Sequence, residues 1–194
     1  MDMRHQPAWL RWRQALATGE LGVWDLRLDL ETVHYSPHWK LRLGFPEPER
    51  PDSTHFWRIR VHPDDIDTMM TGMREHVRGL QPTYEARFRL RSNGSGYRLV
   101  QSRGRVVERC TEGRAVRMVG TMLDLTDRPP TPQGGLPEGP RGAMEAAPLV
   151  RPFHQLLTED DSHEPSQLER DRVLAMVDDL LQDTLTQLAA LRPG

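Results

Sequence analysis

The sequence predicts an α+β fold: a five-stranded antiparallel sheet with helices on one face, an N-terminal flanking helix and a separate C-terminal helix. Three observations carry this. The elements run strand, strand, short helices, long helix, three strands, and an antiparallel sheet with helices packed on it buries that set naturally. The stretch "YEARFRLR" alternates cleanly, with Tyr84, Ala86, Phe88 and Leu90 on one side and Glu85, Arg87, Arg89 and Arg91 on the other. From Arg128 to Pro152 prolines and glycines dominate, and only beyond that does a helical pattern return. The chain thus divides into a flanking helix over 1–18, a folded domain over 19–128, a Pro/Gly-rich linker over 129–165 and an amphipathic helix over 166–191.

Each element follows from its residues. Trp9, Trp12 and Leu16 share one face of a helix near Pro7–Thr18, with Leu10 beside them. Trp24, Leu26 and Leu28 alternate, then Val33 and Tyr35 alternate after a turn, which predicts a hairpin. "SPHWKLRLG" reads as a short helix with Ser36 as cap, Pro37 at its first position and Gly44 past its end; Trp39 and Leu43 face inward. "STHFWRIR" reads as another short helical piece. In "VHPDDIDTMMTGMREHVRGL" Pro63 opens a long helix, Asp64 and Asp65 sit at its positive end, and Ile66, Met69, Met70, Met73 and Val77 keep its period. Three strands end the domain. The last, "AVRMVGTMLDLT", is apolar on both sides, so its outer face needs a cover. The N-terminal helix or a second subunit is the expected cover.

Bulk composition sets limits. The chain has 194 residues, 26 Lys+Arg against 28 Asp+Glu, and a mean hydropathy of -0.66. That balance gives no whole-chain electrostatic case for nucleic acid or an anionic membrane. Cys110 is the one cysteine, so neither an internal disulfide nor a cysteine-based zinc site is available. No apolar run approaches the roughly 18–20 residues that span a bilayer. No signal-peptide core opens the chain, and a cytoplasmic location is expected.

Several local signatures occur in order: "GVWDL", "YSPHWKLRLGF", "RVHPDD", "YRLVQSRGRVV" and "RMVGTMLDLTDR". Together they resemble a PAS domain of the kind that ends in Asp-Ile-Thr, over about Ala15–Arg128. The chain departs from that pattern where Arg87 stands in place of Glu, Leu99 in place of Trp and Leu125 in place of Ile. The resemblance implies a sensory or interaction module that binds a small ligand or cofactor between sheet and helices, dimerises and regulates an output. It also implies a junction at Asp124 and Thr126, from which relatives continue as a rigid helix. Here Pro129, Pro130 and Pro132 oppose a continuous helix, so a rigid lever is not expected.

Trp24, Tyr35, Trp39, Phe56, Met69, Met73, Tyr84 and Phe88 are the cavity candidates, large and adaptable side chains that equally could fill a core. The resemblance raises haem, with His62 and His76 as local ligand candidates, but cap or surface roles suit both better. Cys110 lies near a strand end rather than in the helical Asn-Cys-Arg-Phe setting of flavin photosensors, which argues against covalent flavin. The ligand therefore stays unknown. His163 in "DSHEPSQLE" superficially resembles a phosphoacceptor, yet the capping-box spacing of Ser166 and Glu169, or a start at Pro165, leaves it outside the helix. No glycine-rich nucleotide site follows, and no enzyme activity is expected.

Leu174, Val177, Leu181, Leu185 and Leu188 make a stripe on the C-terminal helix suited to self-association, to a signalling partner, or to folding back on the domain. Arg87, Arg89, Arg91, Arg98 and Arg103 could form a basic strip, or simply a solvated face with Glu neighbours. The resulting expectation is a non-enzymatic signalling module, a homodimer, without metal, nucleic-acid or membrane partners. Its alternatives are a ligand-free dimerisation subunit and a sensory fragment of a histidine kinase or cyclic-dinucleotide enzyme.

Overall fold

A computed structural model describes residues 8–19, 21–94, 96–126, 151–158 and 164–191. The order is α1 (Ala8–Ala17), β1 (Leu21–Arg27), β2 (Thr32–Tyr35), α2 (Pro37–Arg42), β3 (Asp52–Ser53), α3 (Thr54–Arg58), α4 (Pro63–Val77), β4 (Tyr84–Arg91), β5 (Tyr97–Arg109), β6 (Ala115–Asp124), α5 (Phe153–Thr158) and α6 (Glu164–Leu191). The strands form one antiparallel sheet in the order β3-β2-β1-β6-β5-β4.

The sheet has six strands where five were expected. The additional strand is the two-residue β3 on the β2 edge, and two side chains explain it. Buried Lys40 places Nζ 2.9 Å from the Asp52 carboxylate and donates to the Glu47 and Arg50 carbonyls at 2.8 and 3.0 Å. Trp57 Nε1 donates to the same carboxylate at 3.0 Å. A fully satisfied buried ammonium thereby pins an otherwise irregular loop against the edge. At the opposite edge, the chain before α4 shields β4: His62 N–H donates to the Arg89 carbonyl and Arg91 N–H to the Arg60 carbonyl.

Helices cover both faces: the connecting helices lie on one, as expected, and the flanking helix α1 lies on the other together with α5 and α6. The inner face carries Trp24, Leu26, Phe88, Leu90, Val100, Met118 and Met122 under α2, α3 and α4. The outer face carries Leu21, Val23, Val107, Val119 and Leu123. It packs against Trp12, Ala15 and Leu16 of α1, Phe153, Leu156 and Leu157 of α5, and Val173, Val177, Leu180, Leu181 and Leu188 of α6. The doubly apolar β6 is thus explained by two cores back to back, and α1 alone is not the cover.

The C-terminal helix is accordingly not separate. It begins at Glu164 rather than 166, and its stripe splits: Val177, Leu181 and Leu188 are buried on the sheet, while Leu174 and Leu185 are half-buried at its margin. Within the stretch read as linker, Phe153–Thr158 is helical. Pro129, Pro130, Pro132 and His163 lie outside the described residues, as do the side chains of Trp9, Pro165 and Ser166.

Candidate functional site

Two glycines on adjacent strands form the floor of the site. Gly104 and Gly120 face each other across β5 and β6, and Trp24 of β1 pairs with Gly120. The Trp24 indole lies across both: a Cβ on Gly104 would sit 2.3 Å from its Cη2, and one on Gly120 2.3 Å from its Cζ2. Trp24 Nε1 donates to the Ser102 hydroxyl at 3.1 Å and the Thr121 carbonyl at 3.2 Å. Tyr84 meets the indole edge-on, with ring centroids 6.3 Å apart.

Above this floor, between the inner face and the α3–α4 layer, lies a cavity of about 250 Å³. Met69, Met70 and Met73 of α4 line its roof, and Trp57 of α3 and Tyr35 of β2 line one wall with rings 4.5 Å apart. Phe88, Leu90, Leu26, Val33, Val61, Leu28 and Met122 complete the apolar surface. Among the described lining residues only Glu31 and Arg58 are charged, and both are exposed. Burial pushes the Tyr35 phenol well above its ordinary value, and Tyr84 adds to the effect. Burial also raises Tyr84, against a smaller opposing pull from the Ser102 hydroxyl. Both stay protonated hydrogen-bonding groups at any physiological pH.

Of the candidates read from the sequence, Trp24, Tyr35, Met69, Met73, Tyr84 and Phe88 line this cavity. Trp39 and Phe56 do not. Trp39 is fully buried but turned onto Gly22, whose Cβ would lie 2.6 Å from the indole. Phe56 packs beneath the Arg60 guanidinium, 3.5 Å from its ring centroid, and Trp57 takes the inward position instead. Ser53 sets that phase by accepting the Phe56 N–H at 3.1 Å. The missed wall also includes Thr54 and the rim residue Glu31, which holds a left-handed φ of 52°. Its carbonyl accepts the Thr54 N–H at 2.9 Å, tying the β1–β2 turn to the start of α3.

Neither histidine considered for haem lines the cavity. His62 caps α4 by accepting the Asp64 N–H at 3.2 Å. His76 is buried, not a surface residue: Nε2 accepts the Val106 N–H at 3.0 Å, so Nδ1 carries the proton offered to the Gln81 carbonyl at 2.8 Å. Cys110 lies in the β5–β6 turn, away from the cavity lining. The donor sets for axial haem ligation and for a cysteinyl flavin adduct therefore do not fit this cavity. Among the described residues no group of three or more His, Cys, Asp or Glu is placed to hold a metal.

The junction residues sit at the sheet end. Asp124, side chain buried, pairs with Arg98 and lies 3.5 Å from Arg42 Nε, and it accepts the Thr126 N–H at 2.9 Å. Thr126 Oγ1 accepts the Leu99 N–H at 2.7 Å. Ser36 occupies its cap position, but its hydroxyl accepts the Val23 N–H, locking α2 to β1. The supposed basic strip is broken up: Arg89 is bound to Asp64 and Asp65, Arg98 to Asp124 and Arg103 to Glu85. Asp65, held by the Arg89 side chain and backbone N–H, is brought down to about 2.

A model of the PAS fold matches residues 32–122. No curated protein matches the chain. Among solved structures, the sensory box histidine kinase/response regulator from Burkholderia thailandensis E264 is 30% identical, over 60% of this chain and 86% of that one, with a TM-score of 0.50. The N-terminal domain of a diguanylate cyclase with PAS/PAC sensor from Marinobacter aquaeolei is 20% identical, over 54% of this chain and 94% of that one, with a TM-score of 0.47. The PAS-fold match over residues 32–122 and the 30% identity to the Burkholderia domain, most of whose length the chain covers, show that the chain belongs to the PAS fold family.

Proposed function

We propose that this chain is a non-enzymatic, cytoplasmic sensory module: its cavity takes a small molecule, and occupancy biases its association with a signalling partner. The cavity of about 250 Å³ carries this reading. A domain that only assembled a complex would fill its centre, since interiors close-pack and each unfilled space costs stability. The outer sheet face, which a ligand-free dimerisation subunit would need, is already packed under α1, α5 and α6. The name of the Burkholderia relative, a histidine kinase/response regulator, supports a signalling output for the module. Homodimerisation remains part of the reading, through surfaces other than the buried stripe of α6. Among the described residues no helix is long and apolar enough to cross a membrane, in keeping with the location proposed.

Native mass spectrometry of protein purified without denaturation tests the reading. A retained small molecule, lost in a cavity-filling Met73→Phe variant, is the expected result. Protein of bare polypeptide mass, together with a Met73→Phe variant that gains stability and keeps its partner, would favour the assembly subunit instead.

A further inference from the structure

The lining of the cavity restricts what can enter. Its volume, about 250 Å³, exceeds the roughly 150 Å³ that holds benzene in an apolar core and falls short of the roughly 300–1,000 Å³ of drug-sized pockets. That leaves room for one or two rings with a substituent. Ring faces and edges are supplied by Trp24, Tyr35, Trp57 and Tyr84, and thioethers by Met70 and Met73. Aromatic walls and polarisable sulfur favour a flat π-system over a saturated chain. Charge is confined to the exposed rim residues Glu31 and Arg58, so an ion held inside would lack a counter-ion and lose its hydration. At the floor, the Ser102 hydroxyl, which accepts from Trp24 Nε1 and hydrogen-bonds the Tyr84 hydroxyl, gives a polar corner in a mainly apolar space.

We infer that the cavity takes a neutral aromatic molecule of one or two rings bearing a single hydrogen-bonding group, seated with that group toward Ser102 and Tyr84. This deepens the sensory reading above and rests on it. The ligand makes and breaks no covalent bond; it fills the cavity and pairs with the polar corner.

The test is calorimetric titration of the full chain with 2-naphthol, indole, naphthalene and decanoate. The expected result is one site for 2-naphthol and indole, with 2-naphthol tighter than naphthalene by roughly three- to tenfold, the scale of one neutral hydrogen bond. Tyr84→Phe and Ser102→Ala should each narrow that gap while leaving naphthalene binding in place. Met73→Phe should weaken all three aromatics; if it does not fold, Met70→Phe, at a second half-buried position of the same roof, serves. Decanoate binding in preference to the aromatics overturns the aromatic assignment and leaves the sensory reading standing. No binding of any probe also overturns it. The sensory reading falls as well only if native mass spectrometry of the same preparation shows bare polypeptide.

Discussion

At the scale of single residues, glycine absence of side chain is what creates the site. Gly104 and Gly120 clear the floor so that Trp24 can lie flat and reach Ser102 and Thr121. In Gly104→Ala the new methyl would meet the indole at 2.3 Å and drive it up into the cavity. We expect a loss of about 1–3 kcal/mol, the usual scale of overpacking, with a changed near-UV spectrum. Gly120→Ala should cost more, because its Cβ would also lie 2.0 Å from the Arg103 carbonyl, which cannot rotate away. Urea midpoints and near-UV spectra equal to those of the parent would contradict the account. Asp65 gives a second residue-scale prediction. Its carboxyl is lowered to about 2 by the Arg89 side chain, so its contribution is complete above the ordinary carboxylate range near 4 and fades as pH falls through 2. The stability gap between the parent and Asp65→Asn should therefore hold from pH 7 to about 4 and shrink below that; a gap that widens on acidification would contradict it. Much of the cavity was legible at this scale, because Trp24, Tyr84 and Phe88 fall on the inner side of alternating strands. Trp57 was not, since in adjacent Phe56 and Trp57 only the Ser53 cap decides which ring turns inward. Nor was the fate of Trp39 of α2, which depends on Gly22, close in space but on strand β1.

At the scale of elements, periodicity exposed the long helix α4 and the strands, each of which satisfies its pattern locally. It failed for α5, a six-residue helix just past a Pro/Gly-rich stretch, because such a helix has almost no intrinsic stability and exists by docking. What docks it is a buried ion pair on the outer face. Arg117 donates to both Asp25 oxygens, at 3.1 and 2.7 Å, and reaches Glu169 of α6 at 3.0 Å and the Arg151 carbonyl at 3.1 Å. Asp25 in turn accepts the Phe153 N–H at 3.0 Å, holding the first turn of α5. Removing one partner of such a buried pair costs about 3–5 kcal/mol, so Arg117→Met should release α5 more readily than any surface change. The same interface contains His154 of α5 and His34 of β2. Burial, then His34, lowers His154 to about 4. Burial also lowers His34, helped by Lys40 and Arg117 and opposed by Asp25 and Asp52. A depressed imidazole binds its proton less readily in the folded state, so docking is fully favoured above about 6.5 and weakens as pH falls toward 4. Amide protection at Leu156 and Leu157 should drop between pH 7 and 4.5, and His154→Gln should flatten the change. Equal protection factors at both pH values would show that the interface does not titrate.

At the scale of the whole molecule, one sheet separates two cores with different duties. The inner core leaves a space, and the outer core is closed by segments from both ends of the described chain. A sequence pattern reports that a helix has an apolar stripe, not what the stripe touches, which is why α6 alone left partner, dimer and self-docking open. The structure resolves the contact through polar pairs as well as apolar ones: Thr121 with Thr184 at 3.0 Å, Gln187 with Gln101 at 2.6 Å, and Arg105 with Asp179. Such pairs fix one register of α6 on the sheet, since sliding the helix by a turn would leave buried hydroxyl and amide groups without partners. Leu181, 2% exposed at the centre of this contact, is the position where the two cores can be separated experimentally. Leu181→Asp buries an unpaired carboxylate in the closed state and none in the open one, so α6 should leave the sheet. Val23, Val119 and Leu123 would then face water as one contiguous patch, the kind of surface that recruits another chain. The expected outcome is a larger assembly in light scattering and increased dye binding by exposed apolar surface. The Trp24–Tyr84 near-UV signature and 2-naphthol binding should persist, because neither group touches the outer core. Loss of both signatures in a variant that remains soluble would mean that the cores are one cooperative unit and that the cavity depends on its C-terminal cover.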